Sequence, residues 1–275
     1  MDDATIRKFV RNRYAGIARQ GGSCCGPDAS CCGVETAESA GRKIGYSDEE
    51  LAAVPEGANL GLGCGNPVAL ASLREGETVL DLGSGAGFDC FLAARAVGPA
   101  GRVIGVDMTP EMLGKARENA RKGGFGNVEF RLGEIEALPA ADASVDAVLS
   151  NCVINLSPAK EKVFGEAYRV LRPGGRIMIS DIVLVGELPA PVAESLAAYA
   201  DCIAGAIRKS DYLRLLETAG FTDVRVVRET GFEFGEGEME EYARMIAGSL
   251  EIPPEALREA AGSVRSVCVF GRKPG

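Results

Sequence analysis

The sequence predicts an α/β protein built on a doubly wound sheet, and three observations carry that prediction. From about Leu73 onward, short β-branched or leucine-rich runs alternate with longer amphipathic stretches, the signature of successive βαβ units. A glycine-rich loop, DLGSGAGFD, stands where the first such run gives way to the first amphipathic stretch. The chain has 275 residues, 46% of them apolar, which is ample for a core that needs no cysteine staple.

Taken in order, the N-terminus begins with a short helix and passes through SCCGPDASCC. It then reaches SDEELAAV, where Ser47 and Glu50 have capping-box spacing. A Gly-rich link, PEGANLGLGCGNP, holds Cys64. The regular part follows: strand ETVLDLG, helix GFDCFLAARAV, strand GRVIGVD, and helix TPEMLGKARENARKG with Thr109 as cap and Pro110 in the first turn. Next come strand NVEFRLG, strand SVDAVLSNC, helix AKEKVFGEAYRVL, and the turn RPGG leading into strand RIMISDIVL.

Beyond Gly186 the pattern loosens. A Pro-containing connection precedes a small-residue helix around ESLAAYADCIAGAI and a Ser210-capped helix, SDYLRLLETAG. FTDVRVVRE and SVRSVCVFGR supply two late strands, with a helical insertion, EMEEYARMIAGSL, between them. The expected organisation is a Cys-containing segment over 1–56, a ligand-binding core over 57–185 and a C-terminal α+β addition on the substrate side over 186–275.

Composition narrows the chemistry. A formal charge of −9 disfavours a nucleic-acid partner, which calls for a basic face, so a small-molecule substrate is expected. No run of eighteen apolar residues appears and MDDATIRKFV lacks a secretory layout, so a soluble, cytoplasmic protein is expected, with no membrane partner. In a reducing compartment, nine cysteines point to metal binding, redox work or core packing rather than structural disulfides. The absence of histidine removes the usual neutral-pH base and the commonest zinc nitrogen ligand.

Gly83, Gly85 and Gly87 are spaced G-x-G-x-G at the end of a strand and the start of a helix. A dinucleotide fingerprint is G-x-G-x-x-G, and Phe88 breaks that version. Twenty residues after Gly87, Asp107 ends the second strand, where a carboxylate can accept bonds from ribose hydroxyls. Singly, the glycines could merely tighten a bend and Asp107 merely begin a turn; together, in this frame, they read as a nucleoside site. The motif D-x-G-x-G-x-G resembles the first motif of Rossmann-like class I methyltransferases, over roughly residues 74–183. That resemblance implies S-adenosylmethionine held by Asp81, Gly83, Ser84, Gly85, Gly87, Asp107 and Met108, with Glu134 and Ile135 of GEIEALP near the adenine and Asn151 at the end of the fourth strand.

Ligands of doubly wound sheets gather at the carboxyl ends of the strands. Cys152, in SNCVINLS, follows the fourth strand, so a thiol there suggests a thiophilic substrate or thiol acceptor. Packing is the ordinary fate of a free cysteine, and Cys90 and Cys268, in an apolar helix and an apolar strand, are assigned to it. Cys202 lies among small residues on an expected helix, and Cys64 lies in a glycine loop where packing gives little reason for it.

GLGCGNP, DLGSGAGFDC, SNCVINLSP and DCIAGA, in this order, resemble the prokaryotic arsenite S-adenosylmethionine methyltransferases from about Tyr46 to Arg228. The resemblance implies that Cys152 and Cys202 bind trivalent arsenic as thiolates and that Cys64 joins them during turnover. It also implies that an N-terminal cysteine exchanges disulfides with Cys64. Of Cys24, Cys25, Cys31 and Cys32, the choice is Cys32, with Cys31 close behind, because Cys32 leads directly toward GLGCG. Arsenite and methylarsenite are then substrates, and a thiol reductant such as thioredoxin or glutathione is a partner. Algal and animal relatives carry an aromatic residue where this chain has Leu62, so an aromatic contact there is not carried over.

Soft arsenic(III) prefers sulfur donors and keeps its lone pair, so it can attack a sulfonium methyl without a general base. Two other readings stand beside this one: a methyltransferase of another small molecule, such as a quinone precursor, and a non-catalytic thiol-rich metalloid binder on the same scaffold. A zinc knuckle at SCCGPDASCC is a weaker alternative, because its C-C-x5-C-C pattern lacks the two-residue spacing of such sites.

Overall fold

The structure is a computed structural model of the chain and describes residues 2–20, 37–231 and 253–275. Among the described residues seven strands form one sheet: β1 (Thr78–Leu82), β2 (Arg102–Asp107), β3 (Val128–Leu132), β4 (Val145–Asn151), β5 (Leu171–Leu184), β6 (Thr222–Gly231) and β7 (Val264–Arg272). Their order is β3-β2-β1-β4-β5-β7-β6. The first five run parallel, and β7 lies antiparallel between β5 and β6. The reversal of order falls between β1 and β4, so their carboxyl ends frame a crevice of the kind that receives ligands in open α/β sheets.

Alternation along each strand builds two cores. In β1, Leu80 and Leu82 face a layer with Phe164 of α7 (Lys160–Val170) and Tyr212 of α10 (Lys209–Thr218). Val79 faces Phe91 of α5 (Phe88–Val97) and Leu113 of α6 (Pro110–Gly123). Before the sheet come α1 (Asp3–Gln20), α2 (Ala37–Lys43), α3 (Asp48–Ala52) and α4 (Pro67–Leu70). The capping box before α3 forms as expected, with Ser47 accepting from the Glu50 N–H and Glu50 accepting from the Ser47 N–H. Between β5 and α10 lie α8 (Ala190–Ala193) and α9 (Leu196–Ala200), and α11 (Pro254–Ser263) precedes β7.

Four local expectations change. The N-terminal helix is eighteen residues long rather than short. Thr109 occupies the cap position of α6 without a capping side-chain bond; its N–H is donated to Asp107 instead. Ser210 lies inside α10, whose cap is Arg208, because Ile207 and Arg208 pair with the end of β5 and fix where the helix begins. The expected helix through Cys202 stops at Ala200. Cys202 has φ 63°, its N–H bonds the Tyr199 carbonyl, and the Ile203 N–H bonds the Ala198 carbonyl. This is a Schellman ending with cysteine at the left-handed position usually given to glycine. RPGG is looped out within β5, where the register against β4 shifts. The expected insertion EMEEYARMIAGSL and the cysteines of SCCGPDASCC lie outside the described residues.

Candidate active site

The glycine loop crosses the carboxyl end of β1 with Gly83, Gly85 and Gly87 all at positive φ. A side-chain carbon on Gly83 would stand 2.3 Å from Val153 Cγ2, so the loop lies directly against the residue after Cys152. Gly85 differs, because a carbon built there meets nothing within 4 Å and points into open space. Beside it, Asp107 accepts the Gly85 N–H at 2.9 Å and the Thr109 N–H at 2.8 Å. Burial raises the Asp107 carboxyl, with those N–H bonds opposing the shift. Ser84 Oγ is buried without a hydrogen-bond partner among the described residues. An open face at Gly85, an unpaired hydroxyl and a preset carboxylate together fit a hydroxyl-bearing nucleoside.

The remaining residues expected on the cofactor side are distributed around this loop. Met108 packs against the same apolar cluster as Cys64, Cys152 and Cys202. Glu134 is half exposed near Arg7 of α1, and Ile135 is buried against the core. Asp81 is enclosed under α5, where it accepts a bond from Cys90 Sγ at 3.2 Å. Asn151 turns its amide toward the Cys64 link, with Oδ1 accepting the Cys64 N–H at 3.0 Å.

Three cysteines converge next to this loop. Cys64 comes from the link before α4, Cys152 from the end of β4 and Cys202 from the turn after α9. Cys152 Sγ lies within 4.8 Å of Cys64 Sγ and interacts electrostatically with both other thiols, and Cys202 Sγ approaches the Cys152 carbonyl at 2.8 Å. Burial pushes the Cys64 thiol up to about 11. The bond with Cys202 pulls Cys152 down, but its bond with Cys64 and its burial outweigh that, so Cys152 titrates well above an ordinary thiol. Cys202 is raised by its bond with Cys152 and by burial. At neutral pH the cluster therefore holds protonated thiols.

Cys152 and Cys202 both adopt left-handed backbone, at φ 56° and 63°. A non-glycine residue there costs on the order of 1 kcal/mol, and such strain concentrates at functional sites. The cysteines assigned to packing, Cys90 and Cys268, are both buried, and Cys268 Sγ lies 3.1 Å from Ser180 Oγ.

Residues 73–220 match a methyltransferase domain family. The crystal structure of an arsenic(III) S-adenosylmethionine methyltransferase from Chlamydomonas reinhardtii superposes with a TM-score of 0.62 at 36% identity, covering 86% of this chain and 73% of that one. The chain belongs to the arsenic(III) S-adenosylmethionine methyltransferase family. An arsenite methyltransferase of Halobacterium salinarum is 54% identical over 232 residues, which make up 82% of this chain and 59% of that relative. One from Aquipseudomonas alcaligenes is 44% identical over 174 residues, 61% of this chain and 50% of its own. The chain thus spans between half and three fifths of the length of these two relatives of the family.

Sequence reasoning within this family frame missed three features. Asp181, at the end of the quoted LRPGGRIMISD, is fully buried, and one of its oxygens lies within 4.8 Å of both Cys64 Sγ and Cys152 Sγ. It accepts bonds from the Ile182 N–H, Asn155 and Tyr212, and burial raises its carboxyl to about 6. Tyr46 and Asp89 form a buried pair at 2.6 Å beside Asn151. Helix α1 covers the site: Ile17 and Ala18 pack on Ala86 and Met112, and Val10 and Tyr14 pack around Cys202 and Cys152. Ion pairs from Arg7 to Glu136, Arg13 to Asp201 and Arg19 to Glu111 fasten the helix to three elements around the crevice. Asp89 lay in plain view within DLGSGAGFDC; nothing local in the sequence marked Asp181 or the docking of α1.

Proposed function

We propose that this protein methylates trivalent arsenic, held by Cys64, Cys152 and Cys202, with S-adenosylmethionine as donor. The observation that carries the reading is the convergence of three thiols from separate connections beside the glycine loop and Met108. When bound, S-adenosylmethionine supplies an electrophilic methyl group on a sulfonium. Gly85 would offer its open face to that ligand and Asp107 would accept from its ribose hydroxyls, with Gly83 and Gly87 shaping the loop and Ser84 and Met108 beside it. Glu134, Ile135 and Asn151 complete the proposed cofactor side, with Asp81 enclosed behind the loop.

The thiols load the substrate without a base. Each thiol proton leaves with one arsenic hydroxide as water, so three As–S bonds form and three waters depart. The thiols then orient the arsenic lone pair, and positioning of this kind can supply roughly 7 to 11 kcal/mol. Arsenic donates its pair to the methyl carbon and becomes formally pentavalent. Two electrons return when the Cys32 thiol attacks the arsenic-bound Cys64 sulfur: the S–S bond forms, the Cys64–As bond breaks and leaves its pair on arsenic, and one proton, that of Cys32, is released; an external dithiol such as thioredoxin, or two equivalents of glutathione, then reopens the disulfide by exchange. Chain length allows this pairing, as it allows one through Cys31. The Ala37 Cα lies 3.5 Å from where a Gly61 side chain would begin, and Asn59 Nδ2 donates to the Ala37 carbonyl at 2.9 Å. Cys32 is five residues before Ala37 and Gly61 is three before Cys64, so the connecting chain spans at most about 3.6 Å per residue.

The test is incubation of purified protein with arsenite, labelled S-adenosylmethionine and a dithiol, beside Cys152→Ser and Cys202→Ser. Labelled methylarsenicals are expected from the parent and almost none from either variant. Undiminished methylation by both variants would remove the arsenic site. Cys64→Ser and Cys32→Ser should block work on inorganic arsenite while sparing a pre-methylated trivalent substrate in part.

A further inference from the structure

Asn151 ends β4 one residue before Cys152, and four groups surround its amide. Oδ1 accepts the Cys64 N–H at 3.0 Å. Nδ2 lies 2.8 Å from the Gly65 carbonyl, 2.9 Å from the Tyr46 hydroxyl and 3.0 Å from Asp89 Oδ2. The Cys64 N–H and the carbonyl of the next residue, Gly65, therefore rest on one side chain. From the opposite side, Ser266 Oγ of β7 donates to the Cys64 carbonyl at 2.6 Å. Gly63 allows this approach, because a carbon there would fall 2.9 Å from Asn151 Nδ2. Tyr46 in turn donates to Asp89 Oδ1 at 2.6 Å, so one buried carboxylate accepts from both the tyrosine and the asparagine.

The geometry points to Asn151 as a positioning residue that holds Cys64 against Cys152 and Cys202, with Tyr46 and Asp89 fixing the direction of its amide. This rests on the reading of those three thiols as the arsenic ligands. Only a side chain with a donor and an acceptor on one branch satisfies the site. Aspartate would set a carboxylate against the Gly65 carbonyl and Asp89, and alanine would leave the Cys64 N–H without its bond. Cys152 and Cys202 do not depend on this amide, because Cys202 Sγ bonds the Cys152 carbonyl and the Cys152 N–H bonds the Ser180 carbonyl at 2.8 Å. Loss of Asn151 should therefore release Cys64 alone.

The experiment uses the reduced, full-length chain without arsenic or cofactor. Alkylation by iodoacetamide is followed at each cysteine by peptide mass mapping for the parent, Asn151→Ala, Asn151→Asp and Tyr46→Phe, with thermal denaturation as a check on folding. Loss of the two bonds to the Cys64 link should speed Cys64 labelling by about tenfold in Asn151→Ala, with Cys152 and Cys202 changing less than about twofold. Tyr46→Phe, which keeps the asparagine but removes one of its neighbours, should give a smaller rise at the same cysteine.

A second arm compares arsenite, with three exchangeable hydroxides, and phenylarsine oxide, which needs only two thiols. Asn151→Ala should weaken arsenite binding by about tenfold and leave phenylarsine oxide unchanged. Unchanged Cys64 labelling in a folded Asn151→Ala overturns the inference, as does an equal rise at all three cysteines. If that variant does not fold, unchanged Cys64 labelling in folded Tyr46→Phe overturns it. A parent that binds neither arsenical defeats the arsenic reading, while the labelling arm still decides the role of Asn151.

Discussion

Gly83 and Gly85 offer a pair of substitutions that separate folding from cofactor binding. Both sit at positive φ, 66° and 52°, so alanine at either costs on the order of 1 kcal/mol in backbone strain. At Gly83 the new methyl would also stand 2.3 Å from Val153 Cγ2 and 2.8 Å from its Cβ, both in a β-branched side chain that cannot swing aside without moving its own backbone. Overpacking of this kind adds about 1 to 3 kcal/mol, so Gly83→Ala should lose about 2 to 4 kcal/mol in all. For a chain of this size that lowers Tm by very roughly 4 to 16 °C.

Gly85→Ala meets no neighbour within 4 Å, so only the backbone term of about 1 kcal/mol applies, and Tm should fall by about 2 to 4 °C. Its methyl, however, fills the face proposed for the cofactor. The assay is thermal denaturation with and without S-adenosylhomocysteine. In the parent, ligand at a hundred times its Kd should stabilise by about 2.7 kcal/mol. Gly85→Ala should lose most of that shift while remaining folded. A full ligand-induced shift in Gly85→Ala would place the cofactor elsewhere, and equal Tm values for the two variants would refute the contact with Val153.

Two further outcomes follow from ion pairs, one at the amino ends of β1 and β4, opposite the site, and one set along α1. Arg176 bonds Glu77 through both Nη atoms at 2.8 and 2.7 Å and also holds the carbonyls of Ala71 and Ser72, so Arg176→Ala should cost about 3 to 5 kcal/mol in a urea titration. Burial raises the Glu77 carboxyl, but the Arg176 bonds and the Arg74 N–H outweigh it and hold the group below its ordinary 4.5. A depressed folded pKa contributes stability above the unfolded value, and that stability fades as pH falls through 4.5 and below. Glu77→Gln should therefore flatten the acid side of the pH–stability curve, and an unchanged slope would count against this assignment. At α1, replacing Arg7, Arg13 and Arg19 together by alanine removes partly exposed pairs worth about 0.2 to 1 kcal/mol each. Amide exchange should then quicken in α1 about threefold to a hundredfold while β1 and β4 keep their protection; equal quickening everywhere would mean that α1 is no separate unit.

The legible parts of this protein are those whose physics is local. The alternation that marks β1 to β5, the capping box at Ser47 and Glu50, and the glycine loop with Asp107 all operate within short windows, and the structure has each of them in place. What was not legible depends on contacts distant in sequence. Cys202 looked helical because ESLAAYADCIAGAI is rich in small residues, yet the helix closes at Ala200 and a left-handed cysteine ends it. Ser210 looked like a cap because its side chain suits one, but pairing of Arg208 with Leu184 of β5 decides where α10 begins. Asn151 sat at a position expected to serve the cofactor, and only the folded chain brings Cys64, Tyr46 and Asp89 around its amide.

The electrostatics of the cysteine cluster bear on which substrate it suits. Cys202 is buried, Cys64 and Cys152 are partly buried, Asp181 lies close by, and each thiol is pushed toward the protonated form, Cys64 to about 11. A divalent metal bound there would need its thiols as thiolates, with three protons sent out of a buried site against those shifts. Arsenous acid asks for no such transfer, since a neutral molecule meets three neutral thiols and every proton departs with a hydroxide as water. No net charge enters the interior, so the desolvation that holds the thiols protonated does not oppose loading. On the proposed reading the lone pair left on thiol-bound arsenic would be the nucleophile, and that step calls for no histidine, of which this sequence has none.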